Sequence, residues 1–392
     1  MPLKALLFEN DPLFASNTLR ALAHTAWGGA DIGEVVTTCD RIAAGDFDSW
    51  HDEWLRTADW VTAEADGCLK GGHEVSARDG YLRASNYYRS AHFFLHNRPD
   101  DRRVSHAARR SVDCFKKFGS LSDPAIEPVE IPYEGTTLPG YFYPGSGTGK
   151  RPILVMFGGF DSTGEELHFA GAAAAAERGY RVLTFEGPGQ GQVILEQGLP
   201  FRPDWENVVG PVIDYLAQRD DVDASRIALS GLSLGGVLAP RAAAFEKRLA
   251  AVISHDGLYD FFQVYAGAMM PMTEAEINAV IEVMPLARWL FGHGMWVTGT
   301  STPLEFLEAL KPFNVADGVA ESINCPTLVC DDLDPRVVGQ PQQLYDHLTT
   351  TKTFLEFTAE EGADEHCQAG ASRLASARIL DWLDDTLDRH GE

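Results

Sequence analysis

The stretch Ile227-Ala228-Leu229-Ser230-Gly231-Leu232-Ser233-Leu234-Gly235-Gly236 constrains this chain more than any other. An apolar run ends in Gly-x-Ser-x-Gly and passes directly into small, helix-forming residues from Val237 to Ala244. That order predicts a buried strand, a sharp turn and a helix. Glycines two residues either side of Ser233 let strand and helix approach closely, which lifts the serine hydroxyl into the open. The same letters also describe an ordinary glycine turn. What separates the two readings is whether an acid and a histidine follow at later strand ends, in that order.

The chain has 392 residues, enough for one α/β core of common size and extra helices. Its formal charge of -25 argues against nucleic acid or an anionic membrane as partner, since either would be repelled over the whole surface. Cys39, Cys68, Cys114, Cys325, Cys330 and Cys367 are dispersed with no CxxC pair, so neither a disulfide framework nor a zinc knuckle is expected. A reducing, cytoplasmic setting fits that pattern. The apolar start Leu3 to Phe8 is interrupted by Glu9, Asn10 and Asp11 before it reaches signal-peptide length, and no stretch approaches the roughly 18 to 20 apolar residues of a membrane span.

From Asp11 to about Leu121 the periodicity is helical. Trp50, Trp54, Thr57 and Val61 recur at helical spacing, as do Val104, Ala108, Ser111, Phe115 and Phe118. Residues 1–123 therefore read as a helical N-terminal domain. Its densest aromatic stretch runs from Tyr81 to Leu95; most of these rings are packing residues, with Tyr87 and Phe94 as candidates to line a substrate cavity.

After Asp123-Pro124 the period changes, and residues 124–392 read as the core. Val129 to Tyr133, the turn Glu134-Gly135 and Leu138 to Tyr143 predict a β-hairpin. Apolar runs at Ile153–Phe157, Arg181–Phe185, Ile227–Ser230, Ala250–Ser254, Thr327–Cys330 and Thr353–Phe357 then alternate with helical stretches such as Glu165 to Arg178. This is the pattern of a mostly parallel sheet covered on both faces.

The alternation breaks between about 257 and 324, where a helical cap is expected. Thr273 and Glu276 are spaced as a capping box, and Thr302, Pro303 and Glu305 as a second cap. The cap carries Phe261, Phe262, Tyr265, Met269, Met270, Trp289, Phe291, Met295 and Trp296, an adaptable apolar set for closing over a flat hydrophobic substrate. Trp289 and Trp296 are its candidate substrate-binding residues. Packing of the cap onto the core is the competing explanation for each ring.

Three partial motifs fail. Gly145 to Lys150 lacks the first glycine and the final Ser or Thr of a phosphate loop, whose places are taken by Pro144 and Arg151. Gly187-Pro188-Gly189-Gln190-Gly191 puts Gln192 where a dinucleotide fingerprint needs its third glycine. His73-Glu74 has Ala77 in place of a second metal-binding histidine. No metal or nucleotide cofactor is implied.

An acid and a histidine do follow the serine, each after a predicted strand. Cys330 is followed by Asp331-Asp332-Leu333-Asp334-Pro335, and Phe357 by a loop containing Asp364-Glu365-His366-Cys367. His366 is expected to be the general base and Asp334 the acid that orients it. Asp331 and Asp332 read as loop carboxylates, and Asp256 after the preceding strand is a rival acid. The backbone amides of Leu234 and Phe160 are the expected oxyanion donors. Asp161, next to Phe160, reads equally as a cap for the following helix or as a fourth group facing the cavity.

Taken together, Ile131 to Gly140, the Gly158-Gly159-Phe160-Asp161-Ser162-Thr163 loop, Gly187 to Gly191, the serine turn and Glu360 to Cys367 resemble one α/β-hydrolase group. It contains the 2,6-dihydroxypseudooxynicotine hydrolase and the pigment-pathway hydrolases that shorten aromatic polyketides. The resemblance covers most of the chain, helical N-terminal domain included. It implies cleavage of a carbon-carbon bond next to a ketone by a Ser-Asp-His triad, a further carboxylate at Asp161, and a homodimer. The expected substrate is therefore a small, hydrophobic, aromatic ketone. An esterase, lactonase, thioesterase or acyl-transfer enzyme on the same triad is the alternative, and a catalytically silent binding protein is a third reading.

Overall fold

A computed structural model describes residues 8–266, 269 and 272–388. The chain divides into two compact units, Met1–Ile126 with Met272–Phe306, and Glu127–Pro271 with Leu307–Glu392. Residues 272–306 of the expected cap thus cluster with the N-terminal helices, whereas its two flanks belong to the sheet unit. Met270 and the first seven residues lie outside the described residues.

In the helical unit the N-terminal helices are α1 (Pro12–Ala23), α2 (Ile32–Arg41), α3 (Phe47–Lys70), α4 (Glu74–Phe93) and α5 (Arg102–Ser120). Asp11, Asp31, Asp46 and Asp101 start four of them, each side chain accepting an amide of the first turn, which satisfies donors the helix leaves open. Helices α3 and α4 pack closely because Gly80 faces Ala65, where an added Cβ would lie 2.9 Å from the alanine Cβ. Phe94 is fully buried, its ring 4.9 Å from those of Phe14, Phe47 and Trp50. The helices Glu274–Val283 and Pro285–Thr298 complete this unit, and the expected capping box of Thr273 and Glu276 forms.

The sheet unit holds β1 (Glu127–Tyr133), β2 (Thr136–Tyr143), β3 (Arg151–Phe157), β4 (Arg181–Phe185), β5 (Val222–Leu232), β6 (Ala251–His255), β7 (Thr327–Cys330) and β8 (Lys352–Leu355). They form one sheet in the order β1-β2-β4-β3-β5-β6-β7-β8. The β1–β2 hairpin is antiparallel and pairs antiparallel with β4; every later pair is parallel. The mostly parallel α/β sheet with added N-terminal helices is as the sequence predicts. Strands β4, β6 and β7 are buried at every position, which explains why they read as unbroken apolar runs rather than alternating ones.

Two elements differ from expectation. Strand β5 runs from Val222, because Val222 pairs with Arg151 across an irregularity in the register. The helix expected from Glu165 to Arg178 is instead a short 3-10 turn, Glu166–His168, and a helix, Ala172–Glu177, separated by Gly171 at φ 141. Among the described residues no helix is long and apolar enough to cross a membrane. All six cysteines are free.

Candidate active site

The turn after β5 is built by glycines. A Cβ on Gly231 would sit 2.1 Å from the Gly235 carbonyl oxygen, and one on Gly236 would sit 2.9 Å from that of His255. With no side chains there, the helix Gly235–Phe245 starts directly on the strand end, and Ser233 takes a left-handed φ of 59. A non-glycine residue adopts that region at a cost, so the surroundings must hold it. They do so through its amide, which donates to Asp256 Oδ2 at 2.8 Å and to the His255 carbonyl at 3.2 Å.

Ser233 Oγ lies 2.8 Å from His366 Nε2, and His366 Nδ1 lies 2.8 Å from Asp332 Oδ2. A carboxylate only accepts, so the imidazole carries its proton on Nδ1 toward Asp332, and Nε2 accepts from the serine hydroxyl. The acid is therefore not where the sequence places it. The nearer Asp334 oxygen is 3.9 Å from Nδ1, and Asp334 instead takes the Nε of Arg336 with both oxygens at 2.9 Å. The reason lies in how the chain leaves β7. The Asp331 amide continues the ladder to the Leu355 carbonyl, so the next side chain, Asp332, turns into the interior and is fully buried. The Asp334 amide then donates to Asp332 Oδ1 at 2.8 Å, which fixes the acid from its other oxygen.

The electrostatics follow from these contacts. Burial works against a charge on Asp332, but His366, the Asp256 carboxyl and the Asp334 amide outweigh it and hold Asp332 below the usual carboxylate range. Burial also works against a charge on His366, yet the carboxylates of Asp256 and Asp332, the second also through its hydrogen bond to Nδ1, hold the imidazole well above the ordinary histidine value. Asp256 goes the other way: burial pushes it up to about 6, with His366 opposing and Asp332 adding to the rise.

The expected oxyanion loop lies against the serine turn. A Cβ on Gly159 would be 2.5 Å from Ser233 Cβ and 2.8 Å from the Leu234 nitrogen, so glycine alone lets Gly159 and Phe160 pass this close to Leu234. Gln190 braces the loop, its Nε2 donating to the carbonyls of Gly158 at 2.6 Å and Gly159 at 3.2 Å while its Oε1 accepts the Gly187 amide at 2.9 Å. The glycine-rich Gly187 to Gly191 segment, rejected as a dinucleotide site, is thus a frame for the loop carrying Phe160. A polar side chain inside a glycine turn after a strand was the available signal.

Asp161 follows Phe160 and precedes Glu165, the residue at the cap position of the next turn. It lies near Tyr265, whose ring is 6.0 Å from that of Phe160. Burial pushes the Tyr265 phenol up, Asp161 and Asp334 act in the same direction, and Arg336 and His366 oppose it. Tyr265, one of the cap rings named from the sequence, and Arg336, which nothing in the sequence singled out, join the site here.

The four aromatic candidates all fall in the helical unit. Tyr87 is a packing residue whose hydroxyl donates to Glu34 at 2.6 Å and accepts the Asp31 amide at 2.9 Å, and Phe94 is the centre of the aromatic core. Neither is open to a substrate. Trp289 is buried, its indole donating to the Phe93 carbonyl at 2.9 Å, and Trp296 is half-buried against His96 and His293.

As for metals, Asp256, His366 and Cys367 each bring a ligand atom within 4.8 Å of the others. These donors are already engaged: Nε2 with Ser233 Oγ, and the Cys367 thiol with Asp256 Oδ2 at 2.8 Å. A cation would have to pull His366 off the serine. As it stands, the arrangement offers an activated hydroxyl, a base and an orienting acid, the parts of acyl transfer through a covalent intermediate.

Residues 144–385 match the family model described as the Alpha/beta hydrolase family, and residues 16–263 match one described as Esterase FrsA-like. Hydrolase LUC6 of Fusarium sp is 38% identical over 94% of this chain and 95% of its own. The 20-hydroxy-prefusarin hydrolase FUS2 of Gibberella moniliformis is 35% identical over 97% of each. Among solved structures, that of 2,6-dihydroxy-pseudo-oxynicotine hydrolase superposes with a TM-score of 0.73 at 25% identity, covering 93% of this chain and 95% of the other.

Proposed function

The chain belongs to the alpha/beta hydrolase family, and from that premise we propose that it is a serine hydrolase cleaving a carbon-carbon bond next to a ketone in a small aromatic molecule. The observation that carries the serine chemistry is the line Ser233 Oγ, His366, Asp332, with both links at 2.8 Å on a strained turn. What supports a ketone rather than an ester is the likeness to the 2,6-dihydroxy-pseudo-oxynicotine hydrolase structure over nearly the whole chain, and Asp161 beside the oxyanion loop.

In this mechanism His366 Nε2 takes the Ser233 proton as Oγ attacks the ketone carbon. The oxygen of that carbonyl becomes an oxyanion held by the amides of Phe160 and Leu234. The carbon-carbon bond then breaks, its electron pair leaving as an enolate or phenol-conjugated carbanion. That carbanion takes the proton from His366, which is then neutral again. Water then gives a proton to His366 and its oxygen to the acyl group, and Ser233 leaves with the proton returned. The leaving carbanion needs an electron sink in the substrate, which an aromatic 1,3-diketone supplies. Acting as a homodimer on such a substrate in the cytoplasm is part of the same proposal.

The test is product mass after incubating wild type and Ser233→Ala with an aryl 1,3-diketone and with a simple aryl ester. The expected result is an acid and a shorter ketone from the diketone, absent in the variant. Cleavage of the ester alone would replace this reading with an esterase or acyl-transfer enzyme on the same triad.

A further inference from the structure

On the serine-hydrolase reading above, Asp256 bears on both the nucleophile and the base. Asp256 is the first residue past β6, fully buried, and holds a φ of 89 although it is not glycine. Its Oδ2 accepts both the Ser233 amide and the Cys367 thiol at 2.8 Å and lies 3.8 Å from His366 Nε2. One carboxylate oxygen therefore touches the chain at the nucleophile and at the residue after the base.

The segment that carries His366 needs such a hold. Cys367 and Gln368 are successive left-handed residues, at φ 54 and 50. Each costs on the order of 1 kcal/mol or more in that conformation and persists only where the surroundings impose it. Side chains impose it here. Cys367 is tied to Asp256, and Gln368 accepts from His255 Nε2 at 2.8 Å and donates to the Asp331 carbonyl at 2.9 Å. The ends of β6 and β7 thus latch the loop that presents His366.

We propose that Asp256 is a positioning residue for this reaction, one carboxylate that fixes the backbone of Ser233 and the segment carrying His366, and that places negative charge on the Nε2 side of the imidazole, opposite Asp332.

The chemical consequence depends on the leaving group. An imidazolium forms when His366 takes the serine proton and must last until it gives that proton away. A leaving group of low basicity, such as nitrophenoxide, departs unprotonated, and the imidazolium matters little. A carbanion or an alkoxide must be protonated as it leaves, so general-acid catalysis governs the step. Carboxylates on both sides of the ring suit the second case.

The groups that face Asp256 are His255 on its own strand, Cys330 at the end of β7, Asp332 beyond it, and His366 and Cys367 after β8. Burial pushes both thiols up, so they remain neutral, and Asp332 stays ionised. Asp256 is pushed up only to about 6 and is ionised above that pH. Its charge then lets His366 keep a proton to higher pH.

The experiment compares wild type with Asp256→Asn on a p-nitrophenyl ester and on an alkyl ester of the same acid, with kcat and KM measured across pH. Asparagine tolerates a left-handed backbone and keeps an acceptor for the Ser233 amide. Expected are an unchanged KM, an acid limb of kcat/KM moved to lower pH by about one unit, and a kcat loss roughly tenfold greater for the alkyl ester. An unmoved limb with equal losses on both esters would reduce Asp256 to a structural part. A loss near 10⁴-fold on both esters would make Asp256 the acid that orients the imidazole, and would equally overturn the proposal. Should the asparagine variant not fold, Asp256→Gly, which suits the same φ and also removes the charge, reads the same limb. Labelling of Ser233 by an organophosphonate against pH gives the limb without any substrate. Absence of labelling in wild type would instead count against the serine-hydrolase reading itself.

Discussion

Asp334 closes on Arg336 and not on the histidine: both of its carboxylate oxygens lie 2.9 Å from the guanidinium Nε, and its backbone position is set by Asp332. Two carboxylates two residues apart thus have different partners. Replacing Asp332 with Asn should lower kcat by about 10⁴-fold, because an amide no longer selects the Nδ1 proton on His366. Asp334→Asn should cost less than about tenfold, since it frees Arg336 and leaves the imidazole in place. Turnover per phosphonate-titrated site, measured on one ester, separates them.

Gly159→Ala should lower kcat by about 10²- to 10³-fold with little change in KM, the size of effect expected for loss of one oxyanion donor. The new methyl would lie 2.8 Å from the Leu232 carbonyl oxygen and the Leu234 nitrogen, backbone atoms that cannot step aside, so the loop carrying Phe160 must move. Circular dichroism of the variant should remain that of wild type.

Gln190→Ala should reproduce part of that loss from outside the site. It removes the amide that holds the Gly158 and Gly159 carbonyls and leaves the buried Gly187 amide without Oε1, a defect worth about 1 to 3 kcal/mol. A fall in kcat of about tenfold, together with a lower urea midpoint, is expected. Unchanged kinetics with only the stability loss would show that the loop keeps its place without the brace.

Activity should have an acid limb above the ordinary histidine value of about 6.5, because the base works only when His366 is neutral and its neighbours hold its proton more tightly than usual. Activity is then lost as pH falls through the raised value. A pH profile of kcat/KM locates the limb, and a limb below 6 would contradict the cluster of Asp256, Asp332 and His366.

Stability should also change with pH through Glu186, whose carboxyl burial and the neighbouring Glu165 push up to about 8. The folded state holds this proton more tightly than the unfolded chain does. The contribution is therefore fully present below the unfolded value of about 4.5 and is lost as pH rises toward 8. Glu186→Gln should flatten that decline in a series of thermal melts from pH 5 to 8.

The sequence by itself determined the strand order of chemistry along the chain. Gly231 and Gly235 around Ser233 report a close approach that only glycine permits, and buried parallel strands read as apolar runs because no face of them meets water. His366 was legible because it alone of the histidines lies in the loop after the last strand. Local signals of this kind depend on a residue and its chain neighbours.

Tertiary structure decided what depends on direction. Whether Asp332 or Asp334 reaches His366 is set by the turn that follows β7, where the Asp334 amide folds back onto Asp332 and Arg336 takes the Asp334 carboxylate, rather than by spacing along the chain. Tyr87 and Phe94 have the composition of a pocket but are enclosed by Glu34, Asp31, Phe14 and Phe47, so they pack. Asp256 and Gln190 act through the amides and carbonyls of distant turns, and a backbone contact between segments leaves no pattern in the letters of either.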